Sequence, residues 1–146
     1  MKAKYVGGDP ATQQRRREHS KGAKVVDLVL LRYNPDNLTE NAPNPKPTET
    51  SFTVDKGKHI ALCLRDTMRD LHDYNTIMFV AIHELAHIGV EPYDHPNEFW
   101  EAFKFLMFEA TAAGVITPVD YKNKSQKYCG INIDYSPMYD RSLETY

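Results

Sequence analysis

The chain has 146 residues, a formal net charge of −2 and a pI near 6.3, with 41% hydrophobic residues. That length suits one domain with its own core, and the near-balanced charge leaves no dominating electrostatic field. Two cysteines are too few for a disulfide framework, and the longest apolar run, Ile77–Ile82, is far too short to span a bilayer.

The average charge hides an asymmetry. Residues 1–25 hold seven Lys and Arg, among them Arg15-Arg16-Arg17, against Asp9 and Glu18. That leaves 11 of the 18 basic and 18 of the 20 acidic side chains for the rest of the chain. We divide the sequence into a basic N-terminal arm or helix, residues 1–23, and a single domain, residues 24–146. The arm is a candidate for weak, salt-dependent contact with DNA; the alternative is a solvated helix face. Residues 1–11 read as a flexible start around Gly7-Gly8-Asp9-Pro10, with no apolar signal segment.

From Ala11 to about Arg32 the composition permits a helix that Gly22 can interrupt, and Val25, Val26, Leu28, Leu30 and Leu31 supply its apolar patch. Residues 34–50 read as a loop, because Pro35, Pro43, Pro45 and Pro47 remove donors. Ser51–Val54 and His59–Leu64 flank Asp55-Lys56-Gly57-Lys58 and predict a β-hairpin. Arg65–Tyr74 predicts a turn and a short helix. Asn75 is the expected N-cap of a helix from Thr76 to about Ile88, with apolar faces from Ile77, Val80, Ala81 and Leu85 and Gly89 as its stop. Pro96 in a first helical position and Glu98 in the first turn start another helix, which runs to about Ala113 and buries Phe99, Phe103, Leu106, Met107 and Ala110. Gly114 ends it. Residues 115–146 read as irregular chain or short strands wrapping the domain. Cys63 and Cys129 each sit beside apolar residues and are expected as two buried thiols in a reducing compartment.

His83-Glu84-Leu85-Ala86-His87 carries the chemistry. Histidines at i and i+4 share one helix face, so both rings can ligate one zinc ion, and Glu84 beside them can accept a proton from a water at that ion. His95, beyond Gly89 and Pro92, is the expected third ligand. Glu98, Glu101 and Glu109 on the following helix are the carboxylate alternatives. Tyr121, Tyr128, Tyr135 and His72 are candidates for a second oxyanion donor, although each tyrosine can instead pack with its hydroxyl at the surface.

This motif, followed by His95 and then Phe99-Trp100, resembles the WLM and SprT-like group of zincin peptidases. The resemblance extends more weakly over residues 51–114, and the His87–His95 interval is longer than in many members. Tyr128-Cys129-Gly130 is similar to a segment of small WLM-like proteins of large DNA viruses. The resemblance implies an α+β zincin-like core with an active-site helix, a short antiparallel sheet and supporting helices. It implies zinc on His83, His87 and His95, Glu84 as general base, and a strand around His59–Leu64 that borders the cleft and pairs with an extended protein or peptide substrate. Some members of the group cleave proteins crosslinked to DNA. The expectation is a zinc endopeptidase acting on DNA-associated proteins in the cytoplasm or nucleus, in a viral or host-cell setting. The alternative is a catalytically inactive zinc-binding module for protein or DNA on the same scaffold.

Overall fold

Val25, Val26 and Val29 are buried together on one side of a helix, α1 (Lys21–Arg32), with Gly22 buried inside its first turn. This resolves the ambiguous apolar patch in favour of the 3.6-residue period. The computed structural model describes residues 21–41, 51–66, 68–91 and 96–146, so the Arg15-Arg16-Arg17 cluster lies outside the described residues.

A single 3-10 turn at Pro35–Asn37 leads into β1 (Leu38–Asn41), inside a stretch expected to be loop. β1 runs parallel to β3 (His59–Cys63), from Leu38 opposite Ile60 to Asn41 opposite Cys63. Leu38, Thr39 and Glu40 are all exposed and give no alternating pattern, because only pairing with β3 makes this stretch a strand. β2 (Phe52–Val54) pairs antiparallel to β3 across the expected hairpin. The connecting turn has Asp55, Lys56 and Gly57 at φ values of 50°, 54° and 101°. The sheet order is therefore β1-β3-β2, a mixed sheet with β3 in the centre.

The short helix expected in Arg65–Tyr74 does not form among the described residues before Tyr74, which opens the next helix. The stretch is a turn closed by the Arg65–Leu71 bridge, with Asp66 Oδ1 accepting from the Met68 and Asp70 amides at 2.8 and 3.0 Å. α2 (Tyr74–Ile88) follows, and its cap is Asp73 rather than Asn75: the Asp73 carboxylate accepts from the Thr76 amide at 3.1 Å. Asn75 instead clamps Thr117, donating to its carbonyl at 2.8 Å and accepting from its amide at 2.7 Å. α2 is buried nearly all round, packing on α1, on α3 (Pro96–Ala112) and on the β2–β3 hairpin. Its deepest apolar residues are Phe79, Ile82, Ala86 and Ile88, whereas the expected Ile77, Ala81 and Leu85 are only partly buried. Gly89 ends it through close packing: a Cβ there would lie 2.8 Å from Val25 Cγ1 on α1.

α3 buries Ala102, Phe103, Leu106, Met107 and Ala110. Lys104 is buried among them at 5% exposure, and its Nζ donates to the Asp140 and Leu143 carbonyls at 2.8 and 3.0 Å. The C-terminal segment wraps the domain through β4 (Gln126–Tyr128) and β5 (Ile131–Ile133), an antiparallel pair. Cys129 and Gly130 join them at φ values of 45° and 86°, the positive pair that a two-residue type I′ hairpin turn needs. That turn sets Cys129 over the end of β3, where it is disulfide-bonded to Cys63, their Cα atoms 6.5 Å apart. The two cysteines are thus buried but are not free thiols, because the fold closes a separation of 66 residues that spacing could not reveal. No helix among the described residues is long and apolar enough to cross a membrane.

Candidate active site

His83 and His87 stand one turn apart on α2, and their Nε2 atoms are 3.3 Å from each other. Three aromatic residues of α3 hold the two rings. Phe99 stacks on His87 with centroids 4.2 Å apart, while Phe99 and Phe103 each present an edge to His83 at 5.2 Å. Trp100 adds a further edge at 6.3 Å. This wall is apolar and takes both imidazoles largely out of water. Desolvation, reinforced by the neighbouring His87, pushes His83 down to about 4. Burial, with the Lys56 ammonium nearby, also lowers His87. Both rings are therefore neutral at pH 7, the form that offers a lone pair to a metal.

Glu84 lies beside the pair and is 4% exposed. Burial raises its pKa, opposed by a hydrogen bond from Thr53 Oγ1 to its Oε2 at 2.8 Å. Thr53 comes from β2, so the sheet edge and the helix meet at this carboxylate. Lys56, at the tip of the β2–β3 turn, donates to the His87 carbonyl at 2.8 Å and ties that turn to the last turn of α2. Arg32 closes the same helix end, donating to the Ile88 and Val90 carbonyls and to Glu91. Ser51, Phe52, Thr53, Asp55 and Lys56 line one side of an open cleft of about 610 Å³, and His83, Glu84 and His87 line the other.

β3 has neighbours on both sides, so the strand expected to pair with substrate has no open edge. Among the described residues the strand bordering the cleft is β2, whose one partner is β3. Thr53 is brought to the site by register, since it pairs with buried Ile60 and so faces α2 with it.

His95 lies outside the described residues. Among those described, no third His, Cys, Asp or Glu joins His83 and His87 in a metal-binding group. Glu101 is turned to the C-terminal segment, accepting from the Glu144 amide and the Tyr146 hydroxyl, both at 3.1 Å. Glu98 lines a small cavity beside Lys21, Val25 and Gly89.

The four oxyanion candidates are engaged elsewhere. Tyr121 is buried against Phe79, with its hydroxyl beside Thr76 and Asn75. Tyr128 is buried and bonded to Ser51 and the Cys63 carbonyl. Tyr135 donates to Asp140 at 2.6 Å, and His72 Nε2 accepts from the Cys129 amide at 3.0 Å. A larger polar cavity, about 790 Å³, lies among residues of the C-terminal segment. Its Asp120 and Asp140 carboxylates are held by Asn123, Tyr135 and Ser142.

The family model of the WLM domain matches residues 23–141. The chain belongs to the WLM family. Its relatives include an uncharacterized protein of Acanthamoeba polyphaga mimivirus, 45% identical over 98 residues, which covers 66% of this chain and 49% of that one. An uncharacterized protein of Invertebrate iridescent virus 6 is 37% identical over 100 residues, 66% of this chain and 54% of the relative. The DNA-dependent metalloprotease WSS1 homolog 2 of Schizosaccharomyces pombe is 32% identical over 132 residues, 87% of this chain and 43% of that protein. This WLM chain thus spans about half the length of the curated relatives it matches. No solved structure matches it.

Proposed function

We propose that this WLM chain is the catalytic core of a zinc-dependent endopeptidase, with His83, His87 and His95 as ligands and Glu84 as general base. The observation that carries the reading is the 3.3 Å separation of the two Nε2 atoms beside a buried carboxylate. Two nitrogens about 2.05 Å from one zinc at the tetrahedral angle are about 3.3 Å apart. His95 is preferred as third ligand because none of Glu98, Glu101 and Glu109 joins His83 and His87 in a metal-binding group among the described residues, and Glu101 is spent on the C-terminal segment. It also directly precedes Pro96, where α3 begins, and Phe99 of that first turn stacks on His87.

Zinc, when bound, supplies the Lewis acidity that makes a nucleophilic water available near neutral pH. Glu84 takes the proton of the attacking water and returns it to the leaving amine, roles suited to a carboxylate whose pKa burial has raised. The neutral histidines would hold the metal without competing for that proton, and the Phe99–Phe103 wall excludes bulk water from their side. An extended substrate lies along β2, the edge strand of the cleft.

Proteins associated with or crosslinked to DNA are the proposed substrates, since the fission-yeast relative is named for DNA dependence. The basic residues of the arm are the proposed DNA contact. Cytoplasm or nucleus remains the proposed address on the strength of the viral relatives; the reducing-compartment argument falls with the disulfide.

The test compares wild type with Glu84→Gln on unfolded protein and on protein–DNA crosslinks, alongside metal analysis. The expected result is one zinc per chain in both and turnover lower by about 10²- to 10⁴-fold in the variant. Equal turnover would exclude Glu84 as base. Stoichiometric zinc with no cleavage by wild type would favour the binding-module alternative.

A further inference from the structure

Glu84 is on the cleft wall yet almost fully buried, and one side chain among the described residues hydrogen-bonds to it: Thr53, through Oε2 at 2.8 Å. The bond holds Oε2 from the β2 side, while Glu84 lines the open cleft together with His83 and His87. A buried carboxylate with no donor would turn about its last torsion, since such sp³–sp² rotations are broad. A general base needs one oxygen fixed toward the water it deprotonates.

Thr53 is itself held on two sides. It pairs with Ile60 in the β2–β3 ladder. Two residues earlier, where the ladder ends, a closed ring of hydrogen bonds takes over from backbone pairing. The Cys63 amide donates to Ser51 Oγ at 2.9 Å, Ser51 Oγ lies 2.7 Å from the Tyr128 hydroxyl, and Tyr128 donates to the Cys63 carbonyl. With the tyrosine proton on that carbonyl, the serine proton belongs on the tyrosine oxygen. Every donor in the ring is used. The ring joins the start of β2 to the end of β3 and to the β4–β5 hairpin, bracing a short strand whose end backbone bonds alone would leave free to fray.

We propose that Thr53 is the positioning residue for the general base, orienting the Glu84 carboxylate from an edge strand whose register the Ser51–Tyr128–Cys63 ring fixes. This deepens the peptidase reading and rests on it for its catalytic consequence. A hydroxyl at 53 is then required, and its methyl group is not.

The decisive variants are Thr53→Val, which keeps shape and removes the donor, and Thr53→Ser, which keeps the donor. In zinc-loaded protein, Thr53→Val is expected to lower kcat by about 10- to 100-fold with KM within about twofold and zinc content unchanged. Thr53→Ser is expected to recover most of that loss. Wild-type kcat in Thr53→Val, or a Thr53→Ser variant as slow as the valine, overturns the proposal. A second measurement needs no activity: urea unfolding of metal-free wild type, Thr53→Val, Glu84→Ala and the double variant. The two sites are expected to be coupled by a factor of about five or more in the unfolding equilibrium. Additive effects overturn the orienting bond. If Glu84→Gln keeps wild-type turnover, the peptidase reading fails, while this cycle still decides whether Thr53 holds the carboxylate.

Discussion

The face of α2 that carries His83, Glu84 and His87 and the C-terminal segment 115–146 both bury polar groups, by opposite means. On α2 the spacing is local: the histidines meet because they are one turn apart, whatever the rest of the chain does. The C-terminal segment has little regular structure of its own. It is held by single partners far away in sequence: Asn75 on Thr117, Lys104 on two carbonyls, Glu101 on Glu144 and Tyr146, Tyr128 on Ser51 and Cys63. One region gains its geometry from a periodic backbone and the other from a few specific anchors. Functional atoms can therefore stand on the first while the second sets how firmly the cleft is braced.

Cutting the strongest anchor gives the largest expected effect on stability. The disulfide closes a 66-residue separation, for which chain-entropy reasoning gives about 4 kcal/mol. Cys63→Ser/Cys129→Ser protein should unfold at a correspondingly lower denaturant concentration while binding the proposed zinc as the wild type does; loss of metal binding as well would mean that the two regions are not separable. On the α2 side, acid is the probe. His83 is depressed from 6.5 to about 4 by burial, so the unfolded chain binds its proton first as pH falls. Metal-free protein should keep this contribution above pH 6.5 and lose it progressively down to about pH 4, by up to about 3 kcal/mol, and His83→Phe should flatten that slope. Tyr128→Phe leaves the Ser51 hydroxyl and the Cys63 carbonyl without their partner and should cost about 2 kcal/mol in chemical denaturation. Asp73→Ala removes the cap of α2 and should cost about 1 kcal/mol, with hydrogen exchange rising first at the helix start.

What the sequence made legible follows the same division. The ends of α3 are punctuated by Pro96 and Gly114, and the hairpin by Lys56 and Gly57, so their places are written in single residues. The spacing of His83 and His87 needs only helical geometry. Asp73 escaped because Asn75 is an equally good cap by type, and only the Thr117 clamp shows where Asn75 is used. β1 has no apolar alternation, and its parallel pairing depends on a neighbour about 20 residues on. The Cys129-Gly130 pair was a readable turn signal, since a glycine closing a two-residue link between Tyr128 and Ile131 is common hairpin chemistry. Its consequence for Cys63 was not readable, because spacing says nothing about which strand end the turn covers. Lys104 sits in the apolar stretch of α3, where its position hinted at a buried charge without naming the carbonyls that receive it.

The disulfide also has a topological consequence. The covalent circuit from Cys63 to Cys129 contains the whole of α2 and α3, the link between them included. A peptide bond broken anywhere inside that circuit leaves both pieces on one molecule. For a protein read as cutting polypeptides, self-inflicted nicks within the circuit would leave a single band on a non-reducing gel and two on a reducing one.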